Sequence, residues 1–517
     1  MVLKDDTINQ QLLVPLDLRD IIPEDHPCYL IEKIVDRMDL SDVEDKYRYT
    51  AGAHAYSRRM LLRIVILAAF DGGLSGRETE RRTRTDIGYM YLAGMQKPDF
   101  RTINRFKVDN GDLINDAFKM TISVAKERDL VKLNHIAIDG TKIKAKASIN
   151  NLTDEKQLEL LKKILKHSIE LDEEEDELLG EKSGNSVPPE LIDKESFDKI
   201  YDKVQKSMKN DKNEYKLRSS SKNLLKQASQ SEKGRKKVLN KIEKIEQELE
   251  KTPQKVLSVN DPETRWMKNK KNQWEYDYNL QIGVDDYSGI ILSCGLNNHP
   301  TDFKELIPQI ENIKENIGEL PANTQISADN GYSTDRNMEY LEENQLDGYI
   351  SSRKLSRKLK KYNRKDKPYS KDNFTYDFNK NAYICPEGQI LDKIGKYKER
   401  KRTVYWTNNC KQCPVKEECC GKYRIRTITD YGNPSKIRML HKMENEWAEE
   451  IYKKRSKTVE WPFGNIKRNM RIVEFNTTGI ERTLTEARLY VIGHNLKRIH
   501  KEIIKNQIIH IQNKQNT

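Results

Sequence analysis

Three acidic side chains carry the strongest chemical signal in this chain. Asp139 stands in LNHIAIDGTKIKAKAS, Asp329 in TQISADNGYSTD, and Glu460 in the run from Tyr452 to Arg468. Breaking or rejoining a phosphodiester requires neutralising the charge on the phosphoryl oxygens, an activated water or 3′-hydroxyl, and a stabilised leaving oxygen. Two Mg2+ or Mn2+ ions about 3.5–4 Å apart meet all three needs. Mg2+ prefers carboxylate oxygen and keeps several waters, so a few acids on rigid elements suffice. Asp139 ends an alternating apolar run at Asp-Gly, which predicts the exposed end of a strand. Asp329, in Asp-Asn-Gly, is expected to end a second strand beside it. Glu460 is the candidate from a helix; Lys467, Arg468 and, a turn upstream, Arg455 flank it with cations that would steer a phosphate backbone. Each acid also has a plain reading: Asp before Gly forms turns, and Glu444, Glu446, Glu449, Glu450 and Glu474 compete for the third role.

These residues need elements to hold them. A chain of 517 residues implies two to four folding units. Residues 1–130 read as a helical DNA-binding domain, with helical apolar spacing in LIEKIVDRM and MLLRIVILAAF and breaks at Gly72-Gly73 and Lys97-Pro98. Two short basic helices, SGRETERRTR and DFRTINRFK, suit DNA docking, although a solvated helix face explains their arginines equally well. Residues 131–150, 256–352 and 439–500 form the expected mixed α/β catalytic core. They read as strand, hairpin from Tyr276 to Leu296, helix from Asp302 to about Ile317, strand, helix and strand. A charged helical insertion over 151–255 contains DEEEDE and an apolar face of Val238, Ile242, Ile245 and Leu249. A second insertion, 353–438, opens with the basic run RKLSRKLKKYNRKDK, a phosphate-binding stretch or a solvated linker. Residues 501–517 form a frayed tail. Pro462 predicts a kink or restart in the helix that carries Glu460.

Composition narrows the partners. Lys plus Arg is 93 against 81 for Asp plus Glu, a formal charge of +12 that favours a polyanion. The start lacks a signal-peptide pattern, and Leu61–Phe70 is interrupted by an arginine and far short of the ~20 residues that span a bilayer. A soluble cytoplasmic, nucleoid-associated protein is expected, with no membrane partner. Five of the seven cysteines lie between Cys385 and Cys420. Cys385, Cys410, Cys413 and Cys419, with Cys420 as a substitute, have spacing compatible with a structural Zn2+ site; buried reduced thiols are the alternative. Trp266, Trp274, Trp406 and Trp447 are expected in the core, and Trp461 is the best candidate to stack on an unpaired base. No Walker-type loop appears.

At these landmarks the chain resembles a known family. IAIDGTKIKAKAS, DPETRWM, YNLQIGVD, ADNGY, VEWPFGNIKR and HNLKRI, in that order, are similar to insertion-sequence transposases with a DDE triad on a ribonuclease-H-like fold, most closely the group numbered eleven-eighty-two. The resemblance covers nearly the whole chain, including SGRETERRTRTDI and PDFRTINRF. It implies that Asp139, Asp329 and Glu460 bind two divalent ions and that Tyr452, Arg455 and Lys467 contact transposon-end DNA. The related signature reads Tyr-x2-Arg-x3-Glu-x6-Lys, whereas four residues separate Arg455 from Glu460 here. The expected function is cleavage at terminal repeats and transfer of a 3′-hydroxyl to target DNA, with a homo-oligomer assembled on the double-stranded ends. Two alternatives are a DNA-binding protein without catalysis and a nuclease without strand transfer.

Overall fold

The computed structural model describes residues 17–41, 55–165, 217–228, 232–269, 272–351, 368–397 and 402–515. The basic run Arg353–Lys367 and the acidic run Asp172–Glu177 lie outside them. Six helices come first: α1 (Pro27–Asp36), α2 (Arg58–Phe70), α3 (Gly76–Thr85), α4 (Ile87–Leu92), α5 (Phe100–Asp109) and α6 (Gly111–Glu127). Their starts follow capping chemistry: Ser57, Ser75, Asp86 and Asp99 each accept a first-turn backbone N–H. Helix α2 is apolar on nearly every side and is accordingly buried along almost its whole length.

A six-stranded mixed sheet follows, built from β1 (His135–Lys144), β4 (Arg265–Lys268), β5 (Trp274–Asp285), β6 (Ile291–Asn297), β7 (Gln325–Ala328) and β8 (Asp347–Ile350). Strands β1, β7 and β8 run parallel, while β5 lies antiparallel to β1 on its other side. The far edge of β5 is shared by β6 and β4, both antiparallel. The hairpin read from Tyr276–Leu296 is thus β5–β6. The helices before β1 and this sheet contribute to one continuous apolar core.

The short pair β2 (Leu152–Asp154) and β3 (Val256–Ser258) joins antiparallel where the chain leaves and returns to the sheet. Between them, α7 (Ser219–Ala228) and α8 (Glu232–Glu250) close a small separate core in which Val238, Ile242 and Ile245 are buried, the face that their spacing predicts. Helix α9 (Leu306–Ile317) packs on β6, and α10 (Asp335–Glu343) leads to β8. Two three-stranded sheets follow: β9 (Thr375–Asp377), β10 (Ala382–Ile384) and β11 (Ile390–Leu391), then β12 (Lys393–Tyr397), β13 (Arg402–Trp406) and β14 (Thr427–Tyr431). A short helix, α11 (Lys416–Cys420), lies between the last two strands.

Helix α12 (Pro434–Lys442) returns the chain to the main sheet, and α13 (Glu446–Gly464) crosses it. The kink expected at Pro462 does not stop α13. The helix continues to Gly464 and then widens into a π-turn at Asn465–Asn469, where Met470 N–H donates to Asn465 O at 2.9 Å. Helix α14 (Ile480–Gln515) is the longest element among the described residues and runs on as helix through most of the expected tail. Asn495 on it exchanges two 2.9 Å bonds with the Ile291 backbone, satisfying polar groups on β6. Gly493 permits the closest crossing, because a Cβ there would stand 2.3 Å from Ala69 O of α2.

One buried charge sets a pH dependence. Asp277 on β5 is buried with one carboxylate oxygen lacking a hydrogen bond. Burial first, then the neighbouring Glu275, pushes its carboxyl up to about 6. A raised carboxyl pKa means that the folded state holds the proton more tightly, so its contribution is complete below about pH 4 and falls as pH rises to about 6. Asp277→Asn should therefore raise unfolding stability at pH 7.5 by on the order of 1–2 kcal/mol, seen as a higher thermal midpoint, with the advantage fading towards pH 4.5. An equal advantage at both pH values would contradict this account.

Candidate active site

The parallel pairing of β1 with β7 builds the site. Its last registered pair is Ile138 with Ala328, so Asp139 and Asp329 are the next residues on two adjacent parallel strands. Asp139 is not at the end of its strand, as the sequence suggested. The longer partner β5 keeps β1 hydrogen-bonded to Lys144, and only the β7 side is open beyond Ile138. Asp329 leaves β7 and caps the following turn, its Oδ1 accepting from Gly331 N–H at 2.6 Å. Asp139 Oδ1 lies 2.9 Å from its neighbour's Gly140 N–H.

A further carboxylate, Asp302, stands with them. The sequence pattern placed it at the start of a helix, but α9 begins at Leu306 and leaves Asp302 free to face the sheet. Its Oδ1 accepts from Asn279 Nδ2 at 2.7 Å and from Gln281 Nε2 at 2.6 Å. A Cβ on Gly140 would lie 2.9 Å from Asp302 Oδ1, and one on Gly331 would lie 3.4 Å from Asp302 Oδ2 and 2.8 Å from Asp329 Oδ1. Those two glycines let the carboxylates approach the backbone closely. Beneath them Tyr332, fully buried, donates its hydroxyl to Gln281 Oε1. Burial raises its pKa well above the ordinary value, and the charges of Asp302, Asp139, Asp329 and Glu305 raise it further, so it remains a donor. The available signal was two buried amides, Asn279 and Gln281, in the middle of an apolar strand.

Helix α13 brings the cations. Arg455 Nη1 lies 3.3 Å from Asp139 Oδ2, both side chains largely shielded. Burial works against the Arg455 charge, and Asp139, Tyr452 and Asp329 more than offset it. The Arg455 guanidinium also stands over the Tyr452 ring, whose hydroxyl accepts from Ser351 Oγ at 3.1 Å. Lys467 Nζ donates to Thr141 Oγ1 at 2.6 Å and Lys142 O at 3.1 Å, fastening the π-turn to β1. Arg468 is exposed.

Glu460 has a different setting. On ideal helix geometry it lies about 140° around the axis from Arg455. It is exposed, and its Oε1 accepts from Ser456 Oγ at 2.6 Å. The structure thus brings Asp139, Asp329, Asp302 and Arg455 together and leaves Glu460 on the solvent side of the same helix. Among the described residues, no three His, Cys, Asp or Glu side chains form a ready metal cage. Next to Glu460, Trp461 is half exposed, with Arg498 4.6 Å over its ring and His494 at its edge.

Residues 384–500 match the family model described as "Transposase DDE domain", and residues 16–109 match "Transposase domain (DUF772)". These matches indicate an insertion-sequence DDE transposase. DNA is the partner such domains imply, and DDE transposases generally use divalent metal ions. No curated protein and no solved structure matches. The first matched segment contains α13 with Glu460, and the second contains α1 to α5; Asp139 and Asp329 lie between the two. Among the described residues, no helix is long and apolar enough to cross a membrane.

The Tyr332–Gln281–Asp302 chain is testable without any assay of function. Tyr332→Phe keeps the ring and deletes one buried hydroxyl bond, which should cost about 1 kcal/mol of stability. A urea titration matching the parent chain would show that the bond contributes nothing.

Proposed function

We propose that this chain cuts DNA at the terminal repeats of its element and transfers the freed 3′-hydroxyl to target DNA, with Asp139 and Asp329 at the reacting phosphate. The observation that carries the reading is their adjacency at the open edge between β1 and β7, inside a chain with matched transposase segments. The sheet order β6-β5-β1-β7-β8, three antiparallel strands followed by two parallel ones, supports a ribonuclease-H-like core. The segments over 151–255 and 353–438 read as insertions into it.

The donor set suits a hard divalent cation. Asp139, Asp329 and Asp302 offer only carboxylate oxygens, and Mg2+ or Mn2+ needs one or two of these beside its own waters. When bound, such ions would supply Lewis-acid stabilisation of phosphoryl charge and a lowered pKa for the attacking group. Glu460 is proposed as the third acid; joining the pair would require α13 to rotate or shift from the position that Val459 and Phe463 hold here.

The chain's own residues orient and compensate. Gln281 and Asn279 fix Asp302, Tyr332 fixes Gln281, and the Asp329 turn rests on that layer. Arg455 offsets the Asp139 charge and, with Tyr452, Lys467 and the exposed Arg468, offers cations and a polar ring to a phosphate backbone. Helices α3 and α5 pack together and expose Arg77, Arg81, Arg84, Arg101 and Arg105, which would contact DNA away from the cut. Assembly as a homo-oligomer on the paired ends belongs to the same reading.

The test is cleavage and joining of labelled end-sequence DNA with Mg2+ or Mn2+. Asp139→Asn and Asp329→Asn should each lose on the order of 10²–10³-fold in cutting rate, with DNA affinity little changed. Asp302→Ala should lose about 10–100-fold, a smaller effect because its Oδ1 is already engaged by Asn279 and Gln281. Normal cutting by Asp139→Asn would refute the assignment, and cutting without joined products would select a nuclease.

A further inference from the structure

We infer that the cysteine-rich module holds a single zinc ion through Cys385, Cys410, Cys413 and one thiol of the Cys419–Cys420 pair. This goes beyond the reading of the carboxylate site and does not depend on it. Five cysteines, brought from the loop after β10, one turn at 408–413 and a short helix, line one space of about 20 Å³, room for a single small guest. Cys420 lies within hydrogen-bonding reach of both Cys410 and Cys419.

The loop after β10 is shaped to hold a sulfur anion. Gln389 N–H points at Cys385 Sγ at 3.3 Å, while Cys385 N–H and Gly388 N–H close the turn on Gln389 O and Cys385 O, both at 2.9 Å. Gly388 has φ +77°, a left-handed conformation that suits glycine in so tight a turn. A backbone N–H directed at sulfur is the kind of hydrogen bond that orients a metal-binding thiolate. Arg426 lies on the wall of the same space, its guanidinium tied to Cys419 O at 3.5 Å and Tyr369 O at 3.0 Å. Four thiolates around Zn2+ carry a net charge of about −2, which that guanidinium partly offsets.

The module also has need of a clamp. Seven buried apolar residues make up its core: Phe374, Tyr376, Tyr383, Leu391, Tyr405, Ile428 and Ile437. That is little apolar mass for two small sheets, and small domains of this kind recurrently rely on a structural metal. A coordinating Zn2+ would take the place of the thiol protons. Binding asks for rotation of thiols within the space that they already line.

Zinc analysis of the full chain, purified without chelator and reconstituted with Zn2+, decides the matter. The expected content is about one ion per chain. It should persist in Asp139→Asn and fall to background in Cys385→Ser, Cys413→Ser and the double variant Cys419→Ser/Cys420→Ser. Should the serine variants be insoluble, Co2+ substitution of the parent chain serves instead, and tetrahedral thiolate coordination gives sulfur-to-cobalt charge-transfer bands in the near ultraviolet. A parent chain with neither stoichiometric zinc nor those bands, or zinc retained by both single variants, overturns the inference. Zinc lost from Asp139→Asn alone would place the ion at the carboxylates and also overturn it.

Discussion

The parallel pairing of β1 with β7 is the constraint on which the rest of the structure depends. Parallel neighbours cannot be joined by a tight hairpin. Here the chain between them first makes β2 to β6 and α7 to α9 before returning. The pairing is short, only four registered residues, yet it sets two carboxylates side by side. Two like charges on adjacent strands repel, so the site needs compensation at once. Arg455 against Asp139 supplies it from a helix more than a hundred residues further along. The amides of Asn279 and Gln281 supply it for Asp302 from the neighbouring strand.

That compensation explains why β5 is built as it is. A central strand with both neighbours paired is expected to be apolar, and Tyr278, Leu280, Ile282 and Val284 meet that expectation. Asn279 and Gln281 break the pattern on the alternate face, where Asp302 arrives from the loop after β6. A buried amide without a partner costs more than an apolar residue in its place. The two amides therefore make sense only together with the acid, and the acid only with the amides.

Much of the architecture was legible from local chemistry. The Asp-Tyr-Ser-Gly turn marks the β5–β6 hairpin, the caps at Ser75 and Asp99 start α3 and α5, and the Val238, Ile242, Ile245 stripe marks the buried face of α8. What local patterns do not contain is long-range register. Asp139 read as a strand end because Asp-Gly usually turns, but nothing near residue 139 announces that β5 will extend the ladder to Lys144. Asp302 was assigned to a helix because its neighbours are helix formers, although the hydrogen bonds that withdraw it come from residues 279 and 281. The orientation of Glu460 was hidden for a related reason. Periodicity gives angles around a helix, but which face meets the sheet is fixed by Val459 and Phe463 packing into the core.

The two excursions out of the sheet follow one physical rule. A long excursion leaves a sheet intact when its ends meet, since the strands it interrupts then lose no neighbours and the loop-closure cost grows only slowly with length. The β2–β3 pair enforces this for the first, registering Leu152 with Ser258. For the second, α12 closes the path by docking on α10 and β8: Arg438 and Ser435 bind Glu342, and Lys442 binds Asp347 and Gly348 O. Helix α13 begins only four residues after α12 ends and then carries Arg455 to Asp139. The docking of the cysteine-rich module therefore sets where the helix starts, and the start of the helix sets whether its cations reach the carboxylates.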